Sequence, residues 1–303
     1  MKLPGWKPTL LAGAVLPLAA SLVLQTVKVV RALRLGRDIV SATSPFEQRP
    51  AKPSLRVLIM GDSTGLGVGA QAGQSLAALL AADRPDAEVL NVSRSGARLG
   101  DITHQLRQLP RSRDKEKERW DLVLLHAGGN DIFRGTSPAR MRRDAEALLS
   151  KLVPLARHVV WLGPPNIGLL PAFVPPFSWL LSRRSVMACA LFKQCADRFG
   201  VRFVDFCEPR DKAFFSSDPE RYIAPDQVHP TEESYRHCYG LLKQSLPDLD
   251  LLRAAVDAAS GGTLDIDLVE TRPPGVVPSG LTPDSAPARN TFSEAGPPFA
   301  PAG

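Results

Sequence analysis

Residues 57–69, Val-Leu-Ile-Met-Gly-Asp-Ser-Thr-Gly-Leu-Gly-Val-Gly, decide how the rest of this chain is read. Val57 to Met60 form an apolar run too short for a helix, which reads as a buried strand. The run stops at Gly61, and Ser63 follows in a loop dense with glycine. Residues 71–82 (QAGQSLAALLAA) then carry the apolar spacing of an amphipathic helix. A strand, a tight turn and a helix set Ser63 at the carboxyl edge of a sheet, where open α/β sheets hold their ligands.

Outward from this unit, strands and helices alternate. The pattern predicts strands at 55–60, 88–92, 122–126, 159–162 and 201–206. It predicts helices at 71–82, 100–109, 138–155, 178–199 and 231–246. Ser137-Pro138 is a start signal, a capping hydroxyl followed by proline at the first helical position. Five strands alternating with helices imply an α/β domain, residues 55–250, with a parallel sheet covered on both faces. The chain has 303 residues, 44% of them hydrophobic, which is enough for a sizeable core. The charged run at 111–119 holds both signs and reads as a solvated loop or helix end.

The formal net charge of +6 is spread along the chain and suits an anionic membrane surface better than a nucleic-acid groove. With no zinc-finger, helix-turn-helix or RNA-binding signature, no nucleic-acid partner is expected. The four cysteines, Cys189, Cys195, Cys207 and Cys238, have no CxxC spacing. Cys189 and Cys195 fall on one predicted helix, roughly 9 Å apart along its axis, too far for a disulfide. Buried free thiols are the expectation.

Before the domain, residues 8–27 carry no charge. At 1.5 Å per residue they just reach the thickness of a bilayer core, about 30 Å. Gly13, Pro17, Ser21, Gln25 and Thr26 weaken the run. Signal peptide, membrane anchor and apolar helix lying on a membrane or on the protein compete for it. Leu18-Ala19-Ala20 is a poor cleavage site and the apolar character continues past it, so residues 1–40 read as an uncleaved membrane-associated segment. Lys28, Arg31, Arg34 and Arg37 follow it; for a spanning segment of a bacterial-type inner membrane this bias favours a cytoplasmic catalytic domain. Residues 22–40 equally suit a basic amphipathic helix in the interface. Residues 41–54 are polar and proline-punctuated, a linker. Residues 260–303 read as a disordered tail, since 273–303 hold eight of the 28 prolines.

Two motifs at Ser63 lead elsewhere. Gly61-Asp62-Ser63-Thr64-Gly65 matches the G-x-S-x-G elbow of α/β-hydrolases, but those folds place several strands before the nucleophile. Gly65, Gly67 and Ala70 match a dinucleotide fingerprint, which requires an acid after the second strand. Asn91-Val92-Ser93 stands there instead, so no dinucleotide is expected. A serine nucleophile needs a base, and the base an orienting group. His104, His126, His158 and His237 lie on predicted elements or their edges and read as structural or exposed. His229 sits in Pro225-Asp226-Gln227-Val228-His229-Pro230, a stiff turn before the last helix. Asp226 there can accept from one ring nitrogen and leave the other to take the serine proton. By itself the motif is also an ordinary surface turn. Gly96, after the second strand, and Asn130, after the third, stand where donors to an oxyanion belong, together with the Ser63 N–H. Each alone suits a plain turn or cap.

Gly61-Asp62-Ser63, Ser95-Gly96, Gly128-x-Asn130-Asp131 and Asp226-x-x-His229-Pro230 together resemble, in order, the four blocks of the SGNH, or GDSL, hydrolase family. The resemblance implies a flavodoxin-like three-layer α/β/α sandwich on a five-stranded parallel sheet. It also implies ester hydrolysis by Ser63 as nucleophile, His229 as base and Asp226 as orienter. Ser63, Gly96 and Asn130 become oxyanion donors, with no metal and no cofactor. Thr64 stands where leucine is usual, and Gln227 replaces the glycine common in the Asp-Gly-x-His-Pro form. Asp62 and Asp131 read as loop braces, and the glycines around Ser63 as room for an acyl ester. The long apolar stretch 163–181 follows the fourth strand and suits a lipid chain, a membrane contact or simple packing over the sheet. The expected activity is carboxylesterase- or lysophospholipase-like. Its alternatives are a carbohydrate O-deacetylase of the same family and a membrane-tethered, non-catalytic binding protein.

Overall fold

The computed structural model of the chain describes residues 8–109, 119–207 and 213–246. Among these, β1 (Leu55–Gly61), β2 (Ala87–Asn91), β3 (Trp120–His126), β4 (Ala156–Leu162) and β5 (Arg202–Val204) form one sheet of order β2-β1-β3-β4-β5. All four pairings are parallel. This is the flavodoxin-type order, with its switch point between β1 and β3, at the end of which Ser63 lies. The five strands fall where the alternating pattern puts them.

The helices in chain order are α1 (Pro8–Ser41), α2 (Ser63–Leu66), α3 (Leu76–Asp83), α4 (Leu99–Ile102), α5 (Gly129–Phe133), α6 (Pro138–Leu152), α7 (Phe177–Arg198), α8 (Pro219–Tyr222) and α9 (Glu232–Ser245). Side chains alternate across a strand, so one sheet packs two cores. Leu58, Met60, Val123, Leu125 and Trp161 face α6 and α7 residues such as Leu148 and Phe192. Val57, Ile59, Leu122, Leu124 and Leu162 face α3 and α9 residues such as Leu80 and Tyr239.

Several boundaries depart from expectation for local reasons. The helix predicted over 71–82 begins only at Leu76, because Ser75 Oγ accepts from Ala78 N–H and takes the N-cap. That predicted over 100–109 breaks after Ile102 into a 3₁₀ turn, Gln105–Gln108. The break turns the Gln105 side chain inward, where its Oε1 accepts from Gly61 N–H (3.1 Å) and its Nε2 donates to Gly61 O (2.7 Å). The 41–54 linker is tied to the domain: Gln48 pairs with Val89 on the outer edge of β2, and Ser54 N–H donates to Asp86 O at 3.1 Å. The charged run, apart from Arg119, and the 260–303 tail lie outside the described residues.

The N-terminal segment forms a single helix continuous with its basic half, α1. No helix among the described residues is long and apolar enough to cross a membrane. The inner side of α1 lies along the domain. Ser21 Oγ donates to Pro175 O, and Lys28 Nζ donates to Pro171 O at 2.8 Å. Gln25 is buried; its amide donates to Ala172 O (3.1 Å) and accepts from Val174 N–H (2.8 Å).

Gly61 carries the tightest backbone contact of the sheet edge. A Cβ there would lie 2.1 Å from His126 O on the neighbouring strand. Gly61→Ala must therefore spread β1 from β3, and the expected cost is about 3 kcal/mol, the upper range for overpacking. A urea unfolding midpoint equal to that of the wild type would contradict this.

Candidate active site

Ser63 is the first residue of α2, a one-turn helix capped by Asp62, whose carboxylate accepts from Thr64 N–H at 2.9 Å. Asn91, at the end of β2, holds the same turn: its amide donates to Gly65 O (3.0 Å) and accepts from Ser93 N–H (3.1 Å). The glycines after Ser63 are not room for substrate, as the sequence suggests. A Cβ at Gly65 would lie 2.7 Å from Ser93 Oγ, one at Gly67 2.6 Å from Ser75 Cβ, and one at Gly69 2.2 Å from Pro230 O. They let the loop pack against its neighbours, and Gly69 brings it against the residue that follows His229.

His229 and Asp226 share a closed turn. The His229 ring Nδ1 hydrogen-bonds Asp226 Oδ2. Asp226 Oδ1 accepts from the backbone N–H of Val228 and of His229, both at 3.0 Å. Ala224 N–H donates to His229 O and Gln227 N–H to Ala224 O, each at 2.8 Å. Gln227 adopts φ +64°, the left-handed region that explains glycine at this place in relatives of the motif. Burial pushes the Asp226 carboxyl up, but the His229 ring and two backbone donors outweigh it and hold it below its ordinary value.

Tyr235 links the two segments. From the first turns of α9 its hydroxyl donates within the Ser63 loop, 3.1 Å from Thr64 O and 3.0 Å from Val68 O. The sequence reading missed Tyr235, Asn91 and Gln105, since nothing local marks a tyrosine, asparagine or glutamine as a partner of a loop far away in the chain.

Ser63, Gly96, Asn130, Asp226 and His229 all line one cavity of about 550 Å³, within the usual range for a small-molecule site. Every candidate catalytic and oxyanion residue is thus brought together. Asn130 is the second residue of α5, with its Nδ2 3.5 Å from Asp62 Oδ2. Arg134, at the end of α5, also lines the cavity, and a Cβ on Gly96 would lie 3.2 Å from its Nη2. His126 lines it too, but burial pushes its imidazole down to about 4 and so keeps it neutral. Asp131 braces, as expected, accepting from Leu99 N–H at 2.9 Å. Among the described residues no cluster of His, Cys, Asp and Glu could hold a metal ion. The four cysteines are free thiols, with Cys189 and Cys195 buried.

The fold and this arrangement place the chain among the three-layer α/β proteins with a serine at the end of the first strand. It belongs to the GDSL-like Lipase/Acylhydrolase family, whose model matches residues 59–237, more than half of the chain. "Esterase TesA" of Pseudomonas aeruginosa is 33% identical over 129 residues, 40% of this chain. The chain spans 61% of the length of that curated relative. A crystal structure of TesA superposes with a TM-score of 0.50 at 23% identity, over 65% of this chain and 99% of that one. Esterase EstA from Pseudoalteromonas sp. gives 0.48 at 20% identity, over 63% and 95%. None of the family match reaches α1.

Asp62 yields a pH prediction. Burial, opposed by the Thr64 hydrogen bond, pushes its carboxyl up to about 6 from 3.8. In the unfolded chain it ionises first, so stability falls as pH rises from about 4 to 6 and stays lower above that range. Asn at this position keeps the cap and removes the titration. Asp62→Asn is expected to match the wild type near pH 4 and exceed it by on the order of 3 kcal/mol at pH 7. Chemical denaturation across this range is the test, and parallel profiles would contradict it.

Proposed function

We propose that the protein is a serine ester hydrolase acting on esters of apolar acyl groups. The observation that carries the reading is the meeting, in one cavity, of Ser63 with a His229 whose ring is held by a buried Asp226. Ser63 Oγ attacks the ester carbonyl carbon as its proton passes to His229 Nε2. Asp226 keeps Nδ1 protonated and stabilises the imidazolium. The oxyanion accepts hydrogen bonds from the Ser63 and Gly96 N–H groups and from Asn130 Nδ2, with the Arg134 guanidinium nearby adding positive potential. His229 returns the proton to the departing alkoxide. Water, activated by the same imidazole, then releases the acid and restores Ser63.

The walls favour a longer acyl group over acetyl. Pro164, Ile167, Leu170 and Phe173 of the stretch after β4 line the cavity together with Phe215 and Ile223. A sugar O-deacetylase would present polar groups to its substrate's hydroxyls; these residues present none. Ser63→Ala is expected to lower kcat by more than about 10⁴, and Asp226→Asn by a comparable factor. Acetate, butyrate, octanoate and laurate esters of p-nitrophenol, together with a lysophospholipid, form the panel. No ester hydrolysis above the Ser63→Ala background and no wild-type labelling by a fluorophosphonate would leave a binding protein instead; a marked preference for acetate would favour the deacetylase.

We also infer that the protein works at a lipid surface. Leu22, Val23, Val27 and Val30 on the outer side of α1 are 42–64% exposed, and the exposed Arg31, Arg34 and Arg37 follow them. An apolar face ending in cations suits an anionic interface. The full-length protein is expected to sediment with vesicles containing phosphatidylglycerol, less with pure phosphatidylcholine, and less again as Val23→Glu/Val27→Glu. Equal recovery from both vesicle types and for both proteins would count against a lipid surface.

A further inference from the structure

α1 lies outside the part of the chain that matches the family, yet it forms a wall of the catalytic cavity. Its inner stripe runs along one helical face. Ser21, Gln25 and Lys28 fasten the first half to the backbone of residues 171–175. One turn further, the stripe continues as Val29, Ala32, Gly36 and Val40, and all four line the cavity. The polar part is a clamp, and the apolar part is a roof.

Gly36 shows how close the roof comes. It is buried in the second half of a long helix, a place where glycine costs about 1 kcal/mol relative to alanine. A Cβ there would lie 3.2 Å from Asp226 Oδ2 and 3.9 Å from His229 Cε1. The backbone of α1 therefore passes directly over the histidine–aspartate pair. Beside it, the half-buried Ala32 also lines the cavity. Opposite stand the apolar residues of the stretch after β4 and the Phe214–Ser216 turn.

We propose that α1 is the specificity element of this enzyme: its Val29, Ala32, Gly36 and Val40 complete an acyl-chain site, so that the ester taken is one with a linear, medium-to-long apolar acyl chain threaded beneath the helix. The proposal rests on the hydrolase reading above and adds to it the part of the chain that selects the substrate. A slot closed by a helix backbone admits a flexible methylene chain and excludes a bulky acyl group. Each methylene buried there is worth about 0.8 kcal/mol, so kcat/KM should rise about fourfold per methylene until the slot is full.

The test uses the full-length protein. Ratios of kcat/KM for p-nitrophenyl palmitate over p-nitrophenyl acetate are compared in wild type, Ala32→Trp, Gly36→Leu and Thr26→Trp. Thr26 is an exposed residue of the same helix that lines no part of the cavity. Ala32→Trp and Gly36→Leu are expected to lower the ratio more than about tenfold, the worth of two methylenes, and Thr26→Trp to leave it unchanged. Binding of the fluorescent fatty acid cis-parinarate to Ser63→Ala supplies a readout free of catalysis, and adding Ala32→Trp should abolish it. Near-ultraviolet circular dichroism verifies that each variant is folded. If all the proteins hydrolyse esters at the same ratio, the roof does not select the acyl chain although the triad stands. If wild type hydrolyses no ester, the triad reading fails, and parinarate binding alone decides the acyl site: loss on Ala32→Trp supports it, and no binding to Ser63→Ala overturns it.

Discussion

The carbonyl oxygen of His126 occupies the space in which residue 61 would carry a side chain. Everything at the catalytic edge follows from that approach. With β1 and β3 so close, the chain leaves β1 sharply, and Asp62 N–H donates to the same His126 O at 3.1 Å. Gln105 then closes a two-bond clamp on the Gly61 peptide, and Arg94 N–H donates to Gly61 O at 3.1 Å. The turn bearing Ser63 is thus hung on three neighbouring segments before its own one-turn helix begins. Such a short helix has little stability alone, so the position of Ser63 is set by these partners.

The Ser63 loop and the His229 turn are joined by shape and by hydrogen bonds. Gly69 admits Pro230 O to a distance no side chain would allow. Tyr235, fully buried, spends its hydroxyl on the Ser63 loop, and burial raises its pKa well above the ordinary phenol value. Two buried carboxylates beside them show how donors decide charge. Asp226 receives a ring nitrogen and two backbone N–H groups and is held below its ordinary value. Asp62 has the Thr64 hydrogen bonds and a longer contact with the Asn130 amide, while His229 acts on it through charge alone, and burial prevails. The two sites differ in that only Asp226 is bonded directly by the imidazole ring.

α1 reverses the usual arrangement of a surface helix. Its buried stripe begins with Ser21, Gln25 and Lys28, while leucines and valines face outward. Polar side chains can be turned inward here because the stretch at 171–175 offers carbonyls with no helix or strand partners to satisfy them. The outward apolar face is what the proposed lipid surface rests on, and the inward small residues make the helix part of the cavity.

The parallel sheet, its order and its five strands were legible in the sequence, because burial on both faces leaves uninterrupted apolar runs such as 57–60 and 122–125. Ser63, Gly96, Asn130, Asp226 and His229 could be singled out there as candidates, since each sits at a strand end or a proline-stiffened turn, and they line one cavity. Tertiary structure alone decided the rest. Gln105, Asn91 and Tyr235 act on loops distant in sequence, and the glycines after Ser63 answer to Ser93, Ser75 and Pro230 rather than to a substrate. The fate of α1 was open for the same reason. Hydropathy measures how well a segment tolerates an apolar medium, but it says nothing of which protein surface is at hand, and it took the fold to lay Gly36 over His229.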